Sequence, residues 1–182
     1  MMGIGRDKKA ELVEKFQIAR RADVILSSGG VSVGDYDFVK DIVPALGAEV
    51  VFKGVNIKPG QHVMVAQQGE KFIVSLPGFA YSSTVTFILY VVPLMERMMG
   101  IENLYEVIEA TLKMPFSKRS NKTEFTACNL SFEEGCYWVD FDSKKTGSSA
   151  ILTNLLGNAG LMICGEEDGD LESGTRVRVI KL

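Results

Sequence analysis

Apolar residues recur at helical spacing across 8–21. Leu12, Val13, Phe16, Ile18 and Ala19 mark one face and charged residues fill the other, which predicts an amphipathic helix. A short apolar run at 23–27 predicts a strand, and a glycine- and serine-rich loop follows it. The next helix extends to about Leu46, with Asp35 or Asp37 placed to cap it and Gly47 placed to stop it. Strands are expected at 49–55, 63–66 and 71–75. The turn Leu76-Pro77-Gly78 then feeds a long helix to about Met99, ended by Gly100. That helix is apolar nearly all round, which predicts burial on more than one side.

Beyond Gly100 the pattern changes to short alternating segments at 106–114, 124–132, 137–141, 160–164 and 175–180, with turns such as Glu134-Gly135 and Ser173-Gly174 between them. The expectation is a small all-β domain, barrel or sandwich, with the boundary near 100–104, so that residues 1–102 and 103–182 form separate domains. The helix-strand-loop-helix order of the first part is that of parallel α/β construction. The fold class is therefore α/β with a parallel sheet, followed by a barrel-like all-β C-terminal domain. The first part opens on a helix and not on a strand. The sheet is accordingly expected to be truncated at its N-terminus and the chain to be a fragment.

A hydrophobic content of 46% supports a genuine core for 182 residues, and a net charge of −3 without a basic run argues against a nucleic-acid partner. Cys128, Cys136 and Cys164 are odd in number and lack a C-x-x-C spacing, which fits a reducing cytoplasm better than a disulfide framework or a metal site. The apolar stretch 85–95 is shorter than the roughly 18 residues of a membrane span and contains Pro93, so it reads as a buried helix and no membrane partner is expected. No signal peptide is visible at the start.

Candidate chemistry gathers in three loops. In the first, Ser27, Ser28, Gly29, Gly30, Ser32 and Gly34 follow the strand at 23–27. Glycines allow close approach of backbone N–H groups and serines add hydroxyl donors, at the strand end where open α/β sheets bind ligands. Asp35 and Asp37 would repel a bare phosphate, and become intelligible beside one if a divalent cation lies between them. The second loop presents Lys58 before Pro59-Gly60. The third is the turn at Pro77 and Gly78, with Ser82 and Ser83 as candidates to cap the following helix or to bind an oxyanion. These three loops are expected to converge at one edge of the sheet as a positively polarised pocket. His62 reads as structural or solvated, and no serine or cysteine nucleophile with its base is visible.

The succession Ser-Gly-Gly-Val-Ser-Val-Gly-Asp-Tyr-Asp at 28–37, Lys-Pro-Gly at 58–60 and Leu-Pro-Gly at 76–78, followed by a buried helix and a β-rich tail, resembles the molybdopterin molybdenumtransferase family, the MoeA and gephyrin E-domain group. The resemblance covers nearly the whole chain. It implies a molybdopterin-binding-like α/β fold, insertion of molybdate into adenylylated molybdopterin with release of AMP, Mg2+ as the metal, and a homodimer. It also implies catalytic roles for Asp37 and Lys58, metal binding by Asp35 and Asp37, and substrate contacts from Ser27, Ser28, Gly29, Gly30, Ser32, Gly34, Pro77, Gly78, Ser82 and, in the tail, Ser148. The molybdopterin adenylyltransferase is a candidate protein partner. The departures are local. The family's Pro-Gly-Asn-Pro is here Pro77-Gly78-Phe79-Ala80, and the place four before Lys58, where the family usually has a second basic residue, is Gly54 with Lys53 beside it. Lys53 takes over that place only if a bulge intervenes. Two other readings stand beside the insertase: a molybdopterin adenylyltransferase, and a non-catalytic dimeric scaffold.

Overall fold

The computed structural model describes residues 1–5, 8–31, 38–145 and 147–182. These form two compact units, one of residues 1–55 and 60–87, the other of residues 56–59 and 88–182.

In the first unit, helix α1 (Lys9–Ala19) precedes strand β1 (Val24–Ser28), helix α2 (Val39–Ala45) and strand β2 (Glu49–Lys53). After β3 (Ile57–Lys58), which belongs to the other unit, come β4 (Met64–Gln68) and β5 (Lys71–Leu76). The sheet order is β1-β5-β4-β2. The parallel expectation holds for β1 and β5, which pair from Val24↔Phe72 to Ser28↔Leu76. It fails elsewhere: β5 with β4 and β4 with β2 are antiparallel, so the sheet is mixed. The reason is local. Gln68 pairs with Lys71 across a two-residue connection whose Gly69 lies at φ +61°, and a connection that short can only reverse the chain.

Phe16 of α1 and Val39, Ile42 and Val43 of α2 cluster with Ile25, Met64, Ala66 and Ile73 of the sheet. Ile42 and Val43 are wholly buried. Burying each such side chain stabilises the fold by roughly 1.5–3 kcal/mol, so this layer holds β1 in place. The cap expected from Asp35 or Asp37 is corrected in part. The N-cap of α2 is Phe38, with no side-chain capping bond, and both aspartates lie outside the described residues.

The long helix runs as α3 (Ala80–Thr86), a wider π turn (Phe87–Val91) and α4 (Val92–Met99), closed by Gly100 at φ +68° as expected. The widened turn comes just before Pro93, which has no N–H to donate to an α-turn. The Thr86 hydroxyl also donates back to the carbonyls of Ser82 and Ser83 (2.9 and 3.1 Å). The expected burial on more than one side is corrected: α3 buries one wide face, Tyr81, Ser82, Val85 and Thr86, and in α4 only Val92 is buried while Met95, Met98 and Met99 are exposed. Among the described residues no helix is long and apolar enough to cross a membrane.

The second unit is a closed barrel. Strands β6 (Glu106–Leu112), β7 (Thr123–Glu133), β8 (Cys136–Asp140), β9 (Ala159–Cys164) and β10 (Arg176–Lys181) pair in the order β7-β8-β6-β10-β9, and β9 returns to β7. Closure leaves these strands no open edge in the ring. Leu112, Cys128, Val139, Met162, Cys164 and Val179 fill the interior at zero exposure. The two-residue β3 adds in parallel to β7. It is too short to leave an alternation pattern, which is why sequence periodicity does not show it. A 3-10 turn, Leu152–Leu155, escapes for the same reason.

Candidate functional site

The first and third loops meet. β1 and β5 run parallel and end together, so Ser27 lies opposite Ser75 and Ser28 opposite Leu76. The Ser27 and Ser75 hydroxyls are 3.0 Å apart, and Ser75 is wholly buried. The Ser28 hydroxyl donates to the Pro77 carbonyl at 3.3 Å, and the Gly29 amide donates to the Leu76 carbonyl at 2.9 Å. A Cβ added to Gly78 would lie 3.6 Å from the Gly29 Cα, so backbone lies against backbone here. Gly29 and Gly30 hold φ at +85° and +74°, the left-handed region that favours glycine.

This corrects one detail of the expected pocket. The Gly29 amide does not point at a ligand, because it clasps the two turns to each other. The exposed Ser28 remains at the rim, with Gly30 beyond it. Gly30 is seated by the start of α2: its carbonyl accepts from the Val39 amide at 3.1 Å, and a Cβ on it would lie 2.8 Å from Val39 Cγ2. Beside these residues lies a cavity of about 450 Å³. Ser27, Ser28, Gly29 and Gly30 form its polar end, and Leu12, Phe16, Ile25 and Leu26 its apolar wall. Lys15 also lines it and donates to the Met2 carbonyl at 2.9 Å. An apolar wall with a few polar groups at one end suits a small organic molecule that carries a polar head.

Ser82 does not cap α3. The N-cap is Phe79, without a side-chain capping bond, and Ser82 is buried inside the first turn. Ser32, Gly34, Asp35 and Asp37 lie outside the described residues.

Lys58 and Ser148 fall in the second unit. Lys58 stands opposite Glu124 in the β3–β7 pair, and its ammonium lies 3.4 Å from Glu124 Oε1. The same oxygen accepts from the Ser120 hydroxyl at 2.7 Å and from the Arg119 amide at 3.0 Å. The Arg119 guanidinium packs over Gly147, where φ is +90° and a Cβ would have no room. Ser148, next in the chain, accepts from the Ala150 amide at 3.4 Å. Arg119 thus joins the Glu124 cluster to the Ser148 loop. Sequence reasoning missed Glu124, Ser120 and Arg119. The signal was available: Glu124 has the parity of the core residues Cys128 and Leu130 on β7, and a carboxylate at a core-facing position needs partners.

The bulge that would bring Lys53 into register lies upstream, between Val50 and Phe52, and Lys53 itself is exposed. His62 is half-buried with its ring 2.8 Å from the Gln61 side-chain amide.

Residues 1–97 match the family described as "Probable molybdopterin binding domain", and residues 109–182 match the "MoeA C-terminal region (domain IV)". Curated relatives include the molybdopterin molybdenumtransferase of Staphylococcus aureus strain Mu50, 30% identical over 185 residues that take in 98% of this chain and 43% of the relative. The protein of that name from Staphylococcus epidermidis strain ATCC 12228 is 30% identical over 175 residues, covering 96% of this chain and 41% of its own length. The chain therefore spans less than half of these relatives. Among solved structures, the molybdopterin biosynthesis moea protein of Pyrococcus horikosii superposes with a TM-score of 0.76 at 26% identity over 99% of this chain and 42% of that one. A molybdenum cofactor biosynthesis protein of Pyrococcus furiosus, at 18% identity and TM-score 0.69, shares the fold. A chain that matches a molybdopterin-binding domain and then the C-terminal region of MoeA, in that order and over nearly all of its residues, belongs to the MoeA family.

Proposed function

We propose that this chain takes part in molybdenum cofactor biosynthesis as a molybdopterin molybdenumtransferase, binding adenylylated molybdopterin and molybdate and promoting metal insertion with release of AMP. The observation that carries this reading is the clasp of Ser28 and Gly29 against Leu76, Pro77 and Gly78, at the carboxyl ends of two parallel strands and beside a cavity with a polar end. The chemistry asked of the protein is positional. Two polyanions repel at short range, so the reaction needs cations and oriented donors around them. In the first unit Ser27 and Ser28 offer hydroxyls beside this cavity; in the second, the family resemblance assigns Lys58 as a cation and Ser148 as a hydroxyl donor.

Asp35 and Asp37 are the hard oxygen donors that Mg2+ takes. Magnesium held there would neutralise phosphate charge. A homodimer, and the cytoplasm as its setting, complete the proposal; three free cysteines support a reducing compartment. The match to the MoeA C-terminal region favours the insertase over an adenylyltransferase.

The test is an AMP assay with adenylylated molybdopterin. The expected result is AMP release that depends on molybdate and falls in Asp37→Asn and Lys58→Ala. Release unaffected by both substitutions would overturn the reading, and incorporation of AMP from ATP would replace it with the adenylyltransferase.

A further inference from the structure

We propose that Glu124 is the positioning residue for Lys58, fixing the place of its ammonium for capture of an anionic group. This inference rests on the reading of Lys58 as the substrate-contacting lysine.

The argument starts from burial. Glu124 is 4% exposed, and a buried carboxylate is costly unless it is well bonded. Two partners from its own segment anchor it: the Ser120 hydroxyl at 2.7 Å and the Arg119 amide at 3.0 Å, both on Oε1. Lys58 approaches the same oxygen at 3.4 Å, the longest of the three contacts, from a side chain that is 37% exposed. The carboxylate is thus the fixed member of the pair and the ammonium the movable one. Their Cα positions are register partners across β3 and β7, so the backbone sets the distance between them. An ammonium carries three donors, and one bond to Glu124 does not exhaust it. The Ser120 hydroxyl and the Arg119 amide hold the carboxylate without help from Lys58. They are what a carboxylate needs if it is to stay put when the lysine turns to a ligand.

Two measurements on the intact chain test this. The first is the rate of acylation of Lys58 by a lysine reagent, mapped by mass spectrometry, with exposed Lys53 as the internal reference. Glu124→Gln keeps an acceptor for Ser120 and Arg119 but removes the charge, and Lys58 should react several-fold faster while Lys53 is unchanged. Ser120→Ala, which loosens the carboxylate without removing it, should give a smaller change in the same direction. The second is calorimetric affinity for adenylylated molybdopterin. Lys58→Ala and Glu124→Gln should each weaken binding by about tenfold, equal to about 1.4 kcal/mol, and the double variant should be no weaker than Lys58→Ala alone. Unchanged acylation with intact binding overturns this inference alone. Additive losses, or tighter binding in Glu124→Gln, overturn it as well. Faster acylation in a native chain that binds no substrate overturns the functional reading, and with it the service of this pair to a substrate.

Discussion

The amide of Gly29 donates to the carbonyl of Leu76 at 2.9 Å, joining the loop after β1 to the turn after β5. The bond continues the ladder of a parallel pair by one residue past the end of β1. It brings the Gly29 and Gly78 backbones into van der Waals contact, while the space a Cβ on Gly30 would need is taken by Val39 Cγ2 at 2.8 Å. The rim of the cavity therefore depends on glycine for two separate reasons, dihedral freedom and space.

These reasons can be told apart. Gly29→Ala suffers the left-handed φ alone, since its Cβ would meet nothing closer than the Gly78 Cα at 4.0 Å. Gly30→Ala suffers the same φ and also a Cβ 2.8 Å from Val39 Cγ2. Gly29→Ala should cost about 1 kcal/mol and Gly30→Ala about 2–3 kcal/mol. Urea unfolding monitored by far-UV circular dichroism gives both values; equal costs would show that Val39 moves aside freely.

Phe79 is the N-cap of α3, with φ −75° and ψ 130°, no side-chain capping bond and 63% exposure. This gives a physical sense to the Asn-Pro of the related pattern: asparagine is a preferred N-cap, and proline suits the first helical position. Phe79→Asn should stabilise the chain by about 0.5–1 kcal/mol, and Ala80→Pro added to it by about 0.5 kcal/mol more through the unfolded state. Thermal unfolding should show both rises in Tm. A fall with Phe79→Asn would mean that the exposed ring makes a contact worth more than the cap.

Gly160 of β9 admits no side chain. A Cβ there would lie 2.5 Å from Val179 Cγ1, 2.9 Å from Leu130 Cδ1 and 3.2 Å from the Ile180 carbonyl. Gly160→Ala should destabilise the barrel by about 1–3 kcal/mol through overpacking. Adding Val179→Ala, which removes the nearest atom, should recover part of the loss. Denaturant midpoints for the single and double variants test both.

Cys128 is buried, and its thiol donates to the Gly160 carbonyl at 3.4 Å. Burial pushes its pKa from an ordinary 9.0 up to about 12. Between those values the unfolded chain loses the proton and the folded chain keeps it. Stability should therefore be level below about pH 9 and fall as pH rises, by at most about 1.4 kcal/mol per pH unit from this group. Cys128→Ala should remove that part of the slope when unfolding is compared from pH 8 to 11. In the folded protein, exposed Cys136 should alkylate while Cys128 does not.

Much of the architecture was legible because it is periodic. Helical spacing at Leu12, Val13, Phe16 and Ala19, the glycine stops at 47 and 100, and the alternation of the barrel strands each reflect a local rule that a single segment obeys. The resemblance carried by Ser28–Asp37, Lys58–Gly60 and Leu76–Gly78 placed the chain in its family. What escaped was set by partners distant in the chain. The antiparallel half of the sheet follows from the two-residue reversal at Gly69, and β3 exists only because Ile57 and Lys58 meet Thr123 and Glu124.

The same division runs through the candidate site. Residue type and spacing alone determined that Ser27, Ser28, Gly29, Gly30, Pro77 and Gly78 end two strands, because turn chemistry is written in neighbouring residues. Only the tertiary structure decided that the Gly29 amide would bond to Leu76, that Ser82 would be buried, and that Lys58 would stand on Glu124. Hydrogen bonds and burial are settled by which groups the fold brings within about 3 Å of each other, and that proximity belongs to no single stretch of the chain.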